Sequence, residues 1–180
     1  MLMMNGIDVC SIGVPDGRVM AWLMDTLSMT KGAHMPASVT GKPLSVGGTR
    51  GHSGATSAGV LVCARAAFRE LGLSLAGRRA VIQGFGKVGG PLAFLLHSAG
   101  MRVVAVADVG GAVVNGGGLD PFALSDHVAA TGSVAGFPGG DELAADSIWD
   151  IESDLLVPAA LGGVIDELVA KRVQTKVIVE

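Results

Sequence analysis

The sequence has few aromatic residues and no cluster of basic ones. Aromatic residues make up 4% of its 180 positions, and tyrosine is absent. Proteins that bind nucleic acid usually carry a basic stripe or stacking aromatic side chains. Here 13 lysines and arginines are scattered along a chain with a net charge of −3. We therefore expect no nucleic-acid partner.

Cysteine and long apolar runs are equally scarce. Cys10 and Cys63 are the two cysteines, and their separation fits neither a disulfide framework nor a metal-ligand spacing. The four histidines are also well separated, so no metal site is predicted. No apolar run reaches the roughly 18 residues of a membrane span, and the first residues do not resemble a signal peptide. Together these absences predict a cytoplasmic protein in a reducing compartment.

Glycine is abundant, with 28 residues, and short apolar segments alternate with helical patterns. Apolar runs predict strands over 78–85, 101–108, the start of 153–161, and 175–180. Helical spacing of apolar residues predicts helices over 18–29, 56–72, 88–100, 119–131 and 164–173. This alternation predicts an α/β fold of the Rossmann type, doubly wound, with a mostly parallel sheet and helices on both faces.

A glycine fingerprint follows the first predicted strand, in the segment VIQGFGKVGG. Gly84, Gly86 and Gly89 have the G-x-G-x-x-G spacing of dinucleotide-binding folds. Gly84 allows the tight turn, Gly86 allows a pyrophosphate to approach the backbone, and Gly89 allows close helix packing. Two other interpretations stay open, namely a glycine turn with no ligand and a Rossmann domain that binds another nucleotide.

An acidic residue stands where the fingerprint requires one. Asp108 ends the second predicted strand, 19 residues after Gly89 (108 − 89). A carboxylate there accepts hydrogen bonds from the adenosine ribose and repels a 2′-phosphate. The position of Asp108 thus predicts NAD as the cofactor in preference to NADP.

Several motifs occur together in the order of one known family. They are MAWLMDTLSM, VTGKPLSVGG, GHSGATSAGV, VIQGFGKVGG, VVAVADVGG, GGLDPFAL, DLLVPAAL and KVIVE. The sequence resembles the glutamate/leucine/phenylalanine/valine dehydrogenases, and within them it is most similar to glutamate dehydrogenase. The resemblance implies hydride transfer from an amino acid to NAD, giving a 2-oxo acid and ammonia, in a homo-oligomer. It also implies that these residues lie at the cofactor: Thr56, Phe85, Gly86, Lys87, Val88, Ala159 and Ala160.

The resemblance also suggests a domain organisation. It implies that residues 1–47 are a connecting helix and loop from a substrate domain. Residues 48–180 then form an NAD(P)-binding Rossmann domain that is C-terminally incomplete relative to the family. The family's catalytic aspartate would fall near Ile12, which cannot move a proton, so the catalytic residues are unassigned. Asp16 is a nearby candidate, with an ordinary loop role as its alternative.

The resemblance leaves two functions open. In one, the chain supplies the cofactor-binding half of an amino-acid dehydrogenase that acts on L-glutamate. In the other, it is an inactive, truncated dehydrogenase that serves as an oligomerisation or regulatory partner. Ser57, next to Thr56, shows no nucleophile pattern, and helix capping around Thr56 is the ordinary interpretation of this segment.

Overall fold

The computed structural model describes residues 3–4, 7–8 and 16–180. Contacts divide the chain into two units, residues 1–53 and residues 54–180. The boundary expected from the family resemblance, between residues 47 and 48, stays a prediction. Cys10 and Ile12 lie outside the described residues, whereas Cys63 is exposed.

The first unit contains a helix and a compact loop. Strands β1 (Met3–Met4) and β2 (Ile7–Asp8) pair antiparallel, and helix α1 spans Gly17–Lys31. The Asp16 carboxylate caps α1 by accepting hydrogen bonds from the backbone of Arg18 and Val19 at 2.9 and 3.1 Å. The loop that follows contains two short 3₁₀ turns, Pro36–Ser38 and Leu44–Val46.

The second unit is built on a six-stranded sheet. The strands are β3 (Arg79–Gln83), β4 (Arg102–Asp108), β5 (Gly111–Val114), β6 (Asp141–Leu143), β7 (Leu155–Pro158) and β8 (Val177–Ile178). Their order is β6-β5-β4-β3-β7-β8. The four strands β4, β3, β7 and β8 are parallel, while β5 and β6 pair antiparallel at one end. The carboxyl ends of the parallel strands therefore meet at one edge of the sheet.

Helices cover both faces of this sheet, as the sequence predicts. Helices α2 (His52–Glu70), α3 (Gly89–Ser98) and α4 (Pro121–Thr131) contribute Phe68, Leu92 and Leu124 to the core on one face. The other face is covered by a 3₁₀ helix, Ala145–Asp150, and by α5 (Glu167–Arg172). The strands between them are buried on both faces, which explains their nearly continuous apolar sequence.

Two strands and two helix boundaries differ from the sequence-based expectation. The antiparallel strands β5 and β6 were not predicted, because one has four residues among glycines and the other is the acidic segment DEL. Helix α2 begins at His52 rather than Thr56, so Thr56 lies inside the helix and capping around it is wrong. Helix α5 is shorter than 164–173, since Asp166 caps it and accepts hydrogen bonds from Leu168 and Val169.

Candidate functional site

Residues 84–89, here called the cradle, connect β3 to α3 at the carboxyl edge of the sheet. Gly84 has φ of +100°, a conformation that side chains disfavour. A Cβ at Gly89 would overlap the carbonyl oxygen of Gly84, so the absence of a side chain brings α3 against the strand. Both glycines are thus required by the internal packing of the protein.

The third glycine differs from the other two. A Cβ added at Gly86 would meet no atom within 4 Å, and Gly86 itself is exposed. It lines a mostly apolar groove of about 400 Å³ that runs between α3 and α4. No packing inside the described chain explains a glycine at this position. The open space does fit a ligand that approaches the backbone closely.

The start of α3 presents hydrogen-bond donors beside Gly86. Val88 is its N-cap, and no side chain among the described residues caps the helix. The backbone N–H groups of Lys87, Val88 and Gly89 have no acceptor in the part of the chain that the structure describes. Unpaired donors at the positive end of a helix dipole attract phosphate groups.

The end of β7 forms the opposite wall of the cradle. The backbone N–H of Ala159 donates to the carbonyl of Gln83 at 2.6 Å. A Cβ at Gly84 would lie 2.7 Å from the carbonyl oxygen of Ala159 and 3.0 Å from the Cβ of Ala160. Ala159 and Ala160 therefore pack directly against the first turn of the cradle, and Ala160 remains exposed.

Helix α2 is fixed to the cradle by a buried serine. Ser57 has no exposed surface, and its hydroxyl donates to the carbonyl oxygen of Val88 at 2.8 Å. The same carbonyl also accepts a hydrogen bond from the backbone N–H of Leu92, in the first turn of α3. Thr56 is exposed and precedes Ser57 in α2. Ser57 thus holds α2 against the N-terminus of α3.

Asp108 lies next to the cradle but is already hydrogen-bonded. The backbone N–H of Gly84 donates to the carbonyl of Ala107, the residue before Asp108, at 2.7 Å. The Asp108 carboxylate accepts hydrogen bonds from Gly110, Ser133 and Val134, at 2.8, 2.9 and 2.7 Å. It therefore ties the turn after β4 to the loop after α4. A role in binding ribose stays a prediction.

Asp16, the candidate acid of the first unit, has a structural role. Its carboxylate caps α1, and it also pairs with the Arg18 guanidinium at 3.2 Å. The backbone N–H of Val19 and the side chain of Arg18 lower the pKa of Asp16. A carboxyl group stabilised as the anion is a poor proton donor near neutral pH.

The described segments contain no cluster of metal ligands and no helix that could span a membrane. Among residues 3–4, 7–8 and 16–180, no three His, Cys, Asp or Glu side chains cluster as metal ligands would. The helices of those segments are all too short or too polar to cross a lipid bilayer.

Sequence comparison decides the family. The family described as glutamate/leucine/phenylalanine/valine dehydrogenase matches residues 47–180, about three quarters of the chain. The chain belongs to this family. The match includes the cradle, Asp108 and the end of β7, so the features that the structure brings together lie in the part of the chain that defines the family.

Individual members of the family agree with this assignment. The chain is 36% identical over 165 residues to the cryptic catabolic NAD-specific glutamate dehydrogenase GudB of Bacillus subtilis, covering 92% of this chain and 38% of that protein. It is 41% identical to the hetero-hexameric glutamate dehydrogenase of Thermus thermophilus in its Leu-bound form, with a TM-score of 0.83, covering 91% and 38% of the two chains. Glutamate dehydrogenase of Peptoniphilus asaccharolyticus gives 28% identity and a TM-score of 0.68. The chain thus spans about 38% of the length of these relatives.

The structure assembles most of the residues that the sequence nominates. It brings Gly84, Gly89, Ala159 and Ala160 into contact, and it leaves Phe85, Gly86 and Lys87 at the mouth of the cradle. Their role in cofactor binding stays a prediction, as does that of Thr56. Sequence reasoning missed the contribution of Ser57, since its contact with Val88 joins residues 31 positions apart.

Proposed function

We propose that the chain supplies the cofactor-binding part of an NAD-dependent glutamate dehydrogenase. The observation that carries the proposal is the difference between the glycines of the cradle. Gly84 and Gly89 are required by packing, while Gly86 faces open space beside unpaired backbone donors. The relatives support the choice of chemistry, since the Bacillus subtilis protein is an NAD-specific glutamate dehydrogenase.

In this proposal the pyrophosphate of NAD lies over Gly86 and accepts hydrogen bonds from the start of α3. The exposed Lys87 adds a positive charge next to the phosphates. Asp108 accepts a hydrogen bond from a ribose hydroxyl, and its negative charge repels the 2′-phosphate of NADP. Thr56, Phe85, Val88, Ala159 and Ala160 line the space that the rest of the cofactor occupies.

The proposed reaction is the oxidative deamination of L-glutamate. Glutamate, NAD⁺ and water give 2-oxoglutarate, ammonium, NADH and a proton, because loss of hydride from Cα leaves an imine that water hydrolyses. When bound, NAD supplies the hydride acceptor. The residues of this chain bind and orient it, so that a fixed nicotinamide face meets the substrate Cα.

We further propose that the protein is cytoplasmic and assembles as a homo-oligomer. The Thermus thermophilus relative is a hexamer, which supports assembly, although that hexamer contains more than one kind of chain. The apolar Trp22 and Val62 are 66% and 63% exposed on separate helices, and subunit contacts would cover such side chains.

Isothermal titration of NADH into the wild-type chain and into Gly86→Val tests the proposal. A Cβ at position 86 meets no atom within 4 Å, so the variant should unfold like the wild type, while its affinity for NADH should fall at least about tenfold, or about 1.4 kcal/mol. Gly116→Val is the matched control, because position 116 is also open but lies in the turn after β5.

The outcomes separate three interpretations. No NADH binding by the wild type at millimolar concentration would overturn the proposal and leave a glycine turn. Equal binding by wild type and Gly86→Val would place the ligand away from the cradle. Binding of NADH without glutamate deamination in the assembled protein would favour the oligomerisation or regulatory role.

A further inference from the structure

The hydroxyl of Ser57 bonds outside its own helix. Hydroxyl side chains inside helices commonly donate to the carbonyl four residues earlier. Three hydroxyls of α1 and α4 form such bonds, namely those of Thr26, Ser28 and Thr131. Ser57 instead donates to the carbonyl of Val88, so its side chain fixes the start of α3 and not the backbone of α2.

The Val88 carbonyl belongs to the same peptide group as the backbone N–H of Gly89. A trans peptide is planar, so its C=O and N–H point in opposite directions. Val88 has helical φ and ψ of −104° and −55°, and its carbonyl accepts bonds from Ser57 and Leu92. The N–H of Gly89 therefore points away from the body of α3, toward the N-terminal end where Gly86 is exposed.

The N–H of Gly89 lacks an acceptor within the described residues. The next donor, the N–H of Gly90, bonds to the carbonyl of Gly86 at 3.0 Å, whereas that of Gly89 makes no such bond. Gly89 itself is buried. Buried backbone donors are nearly always paired in folded proteins, so an unpaired one indicates a missing acceptor. A phosphate oxygen in the open space beside Gly86 would supply it.

We infer that Ser57 is a positioning residue for the diphosphate of the cofactor, and that it acts through the peptide between Val88 and Gly89. Two hydrogen bonds to one carbonyl fix the orientation of this peptide and polarise it, which makes its N–H a stronger donor. Ser57 has no exposed surface, so it acts without touching the ligand. The inference rests on the proposed function, because it requires a diphosphate at the start of α3.

Competition binding with ADP and adenosine tests the inference. Both are titrated against bound NADH, and the ratio of their affinities measures the contribution of the diphosphate. In Ser57→Ala this ratio should fall about fivefold, because a less ordered and less polarised N–H loses part of a charge-assisted hydrogen bond. The affinity for adenosine, which has no phosphate, should stay at its wild-type value.

Ala64→Gly is the matched control. Ala64 is fully buried in α2, and glycine at this position weakens the same helix while the bond between Ser57 and Val88 remains. If Ser57 served only to stabilise α2, both variants would change the ratio of affinities equally. Positioning of the diphosphate predicts a change in Ser57→Ala alone.

The amide resonance of Gly89 gives a second measurement, which the wild-type chain alone can provide. In proton–nitrogen correlation spectra, the Gly89 amide proton should move downfield with ADP and not with adenosine, because only ADP offers it a charged oxygen. The same movement should be smaller in Ser57→Ala.

Two results would overturn the inference while leaving the proposed function intact. One is a ratio of affinities that changes less than about twofold in Ser57→Ala, or that changes equally in Ala64→Gly. The other is a Gly89 amide that does not respond to ADP in a wild-type chain that binds it. Failure of the wild type to bind NADH and ADP would instead overturn the proposed function.

Discussion

Replacement of Asp154 should destabilise the second unit, because its carboxylate joins three segments of the sheet. Asp154 precedes β7 at the amino edge of the sheet, and its side chain is 13% exposed. Its carboxylate accepts the backbone N–H of Arg79 at 3.0 Å and the ammonium of Lys176 at 2.6 Å. A weaker contact to Arg78 is 3.4 Å long. One carboxylate therefore joins β3, β7 and the segment that leads into β8.

The size of the effect follows from these partners. The charge-assisted bond to the Arg79 backbone contributes about 2 kcal/mol, because its loss leaves a poorly solvated donor. The Lys176 side chain is 52% exposed, so solvent screens that pair and it contributes about 0.5 kcal/mol. Asp154→Ala should thus lower the free energy of unfolding by about 2.5 kcal/mol, and the melting temperature by about 5–10 °C.

The effect should depend on pH in a defined direction. Burial alone would raise the pKa of Asp154, but the hydrogen bonds from Lys176 and Arg79 outweigh it and hold the pKa below the usual value. A carboxyl group with a lowered pKa stabilises the fold above about pH 4, and that stability is lost as the pH falls through the lowered pKa. The difference in the free energy of unfolding between wild type and Asp154→Ala should therefore become smaller in acid.

Urea unfolding from about pH 7 to about pH 3 measures this difference. Asp154→Asn keeps an acceptor oxygen, so it should lower the free energy of unfolding less than Asp154→Ala does. Asp126→Asn, on the exposed side of α4, is the control and should change little at any pH. A difference for Asp154→Ala that is below 0.5 kcal/mol at about pH 7, or that stays constant into acid, would refute the reasoning.

The packing of the cradle leads to two further predictions, both measured by urea unfolding. Gly89→Ala should lower the free energy of unfolding by about 3 kcal/mol, because its Cβ overlaps Gly84. Gly90→Ala, whose Cβ would lie 3.7 Å from the carbonyl oxygen of Phe85, should be neutral or stabilise α3 by up to about 1 kcal/mol. Equal effects of the two substitutions would contradict the packing. Ser57→Ala should lower the free energy of unfolding by about 1 kcal/mol, because the Val88 carbonyl keeps its hydrogen bond from Leu92. The control Ser98→Ala, at an exposed position, should have almost no effect.

The central part of the fold could be predicted because its sequence signals are local. Strands β3 and β4 are apolar on both faces, and the glycines that end them stand at fixed positions. Helix α4 carries Asp120 and Pro121 at its start and Gly132 at its end, so its limits could be read from the sequence. Strands β5 and β6 have no such signal, because antiparallel pairing with β4 and not local sequence makes them strands.

The site could be predicted in its backbone and less well in its side chains. The spacing of Gly84, Gly86 and Gly89 located the cradle, and its packing agrees with the roles assigned to Gly84 and Gly89. The role assigned to Gly86 stays a prediction. Asp108 was located correctly at the end of β4, but its hydrogen bonds to Ser133 and Val134 were not foreseen. Those partners lie 25 and 26 residues further along the chain, and periodicity carries no information about such contacts.

The unequal surroundings of the three cradle glycines would be visible in a saturation mutagenesis experiment. A screen that scores cellular abundance should reject most substitutions at Gly84 and Gly89 and accept them at Gly86. A second screen that scores retention on an immobilised nucleotide should reject all three. Gly86 would then be the one glycine of the motif that is needed for nucleotide binding and not for the folding of the protein.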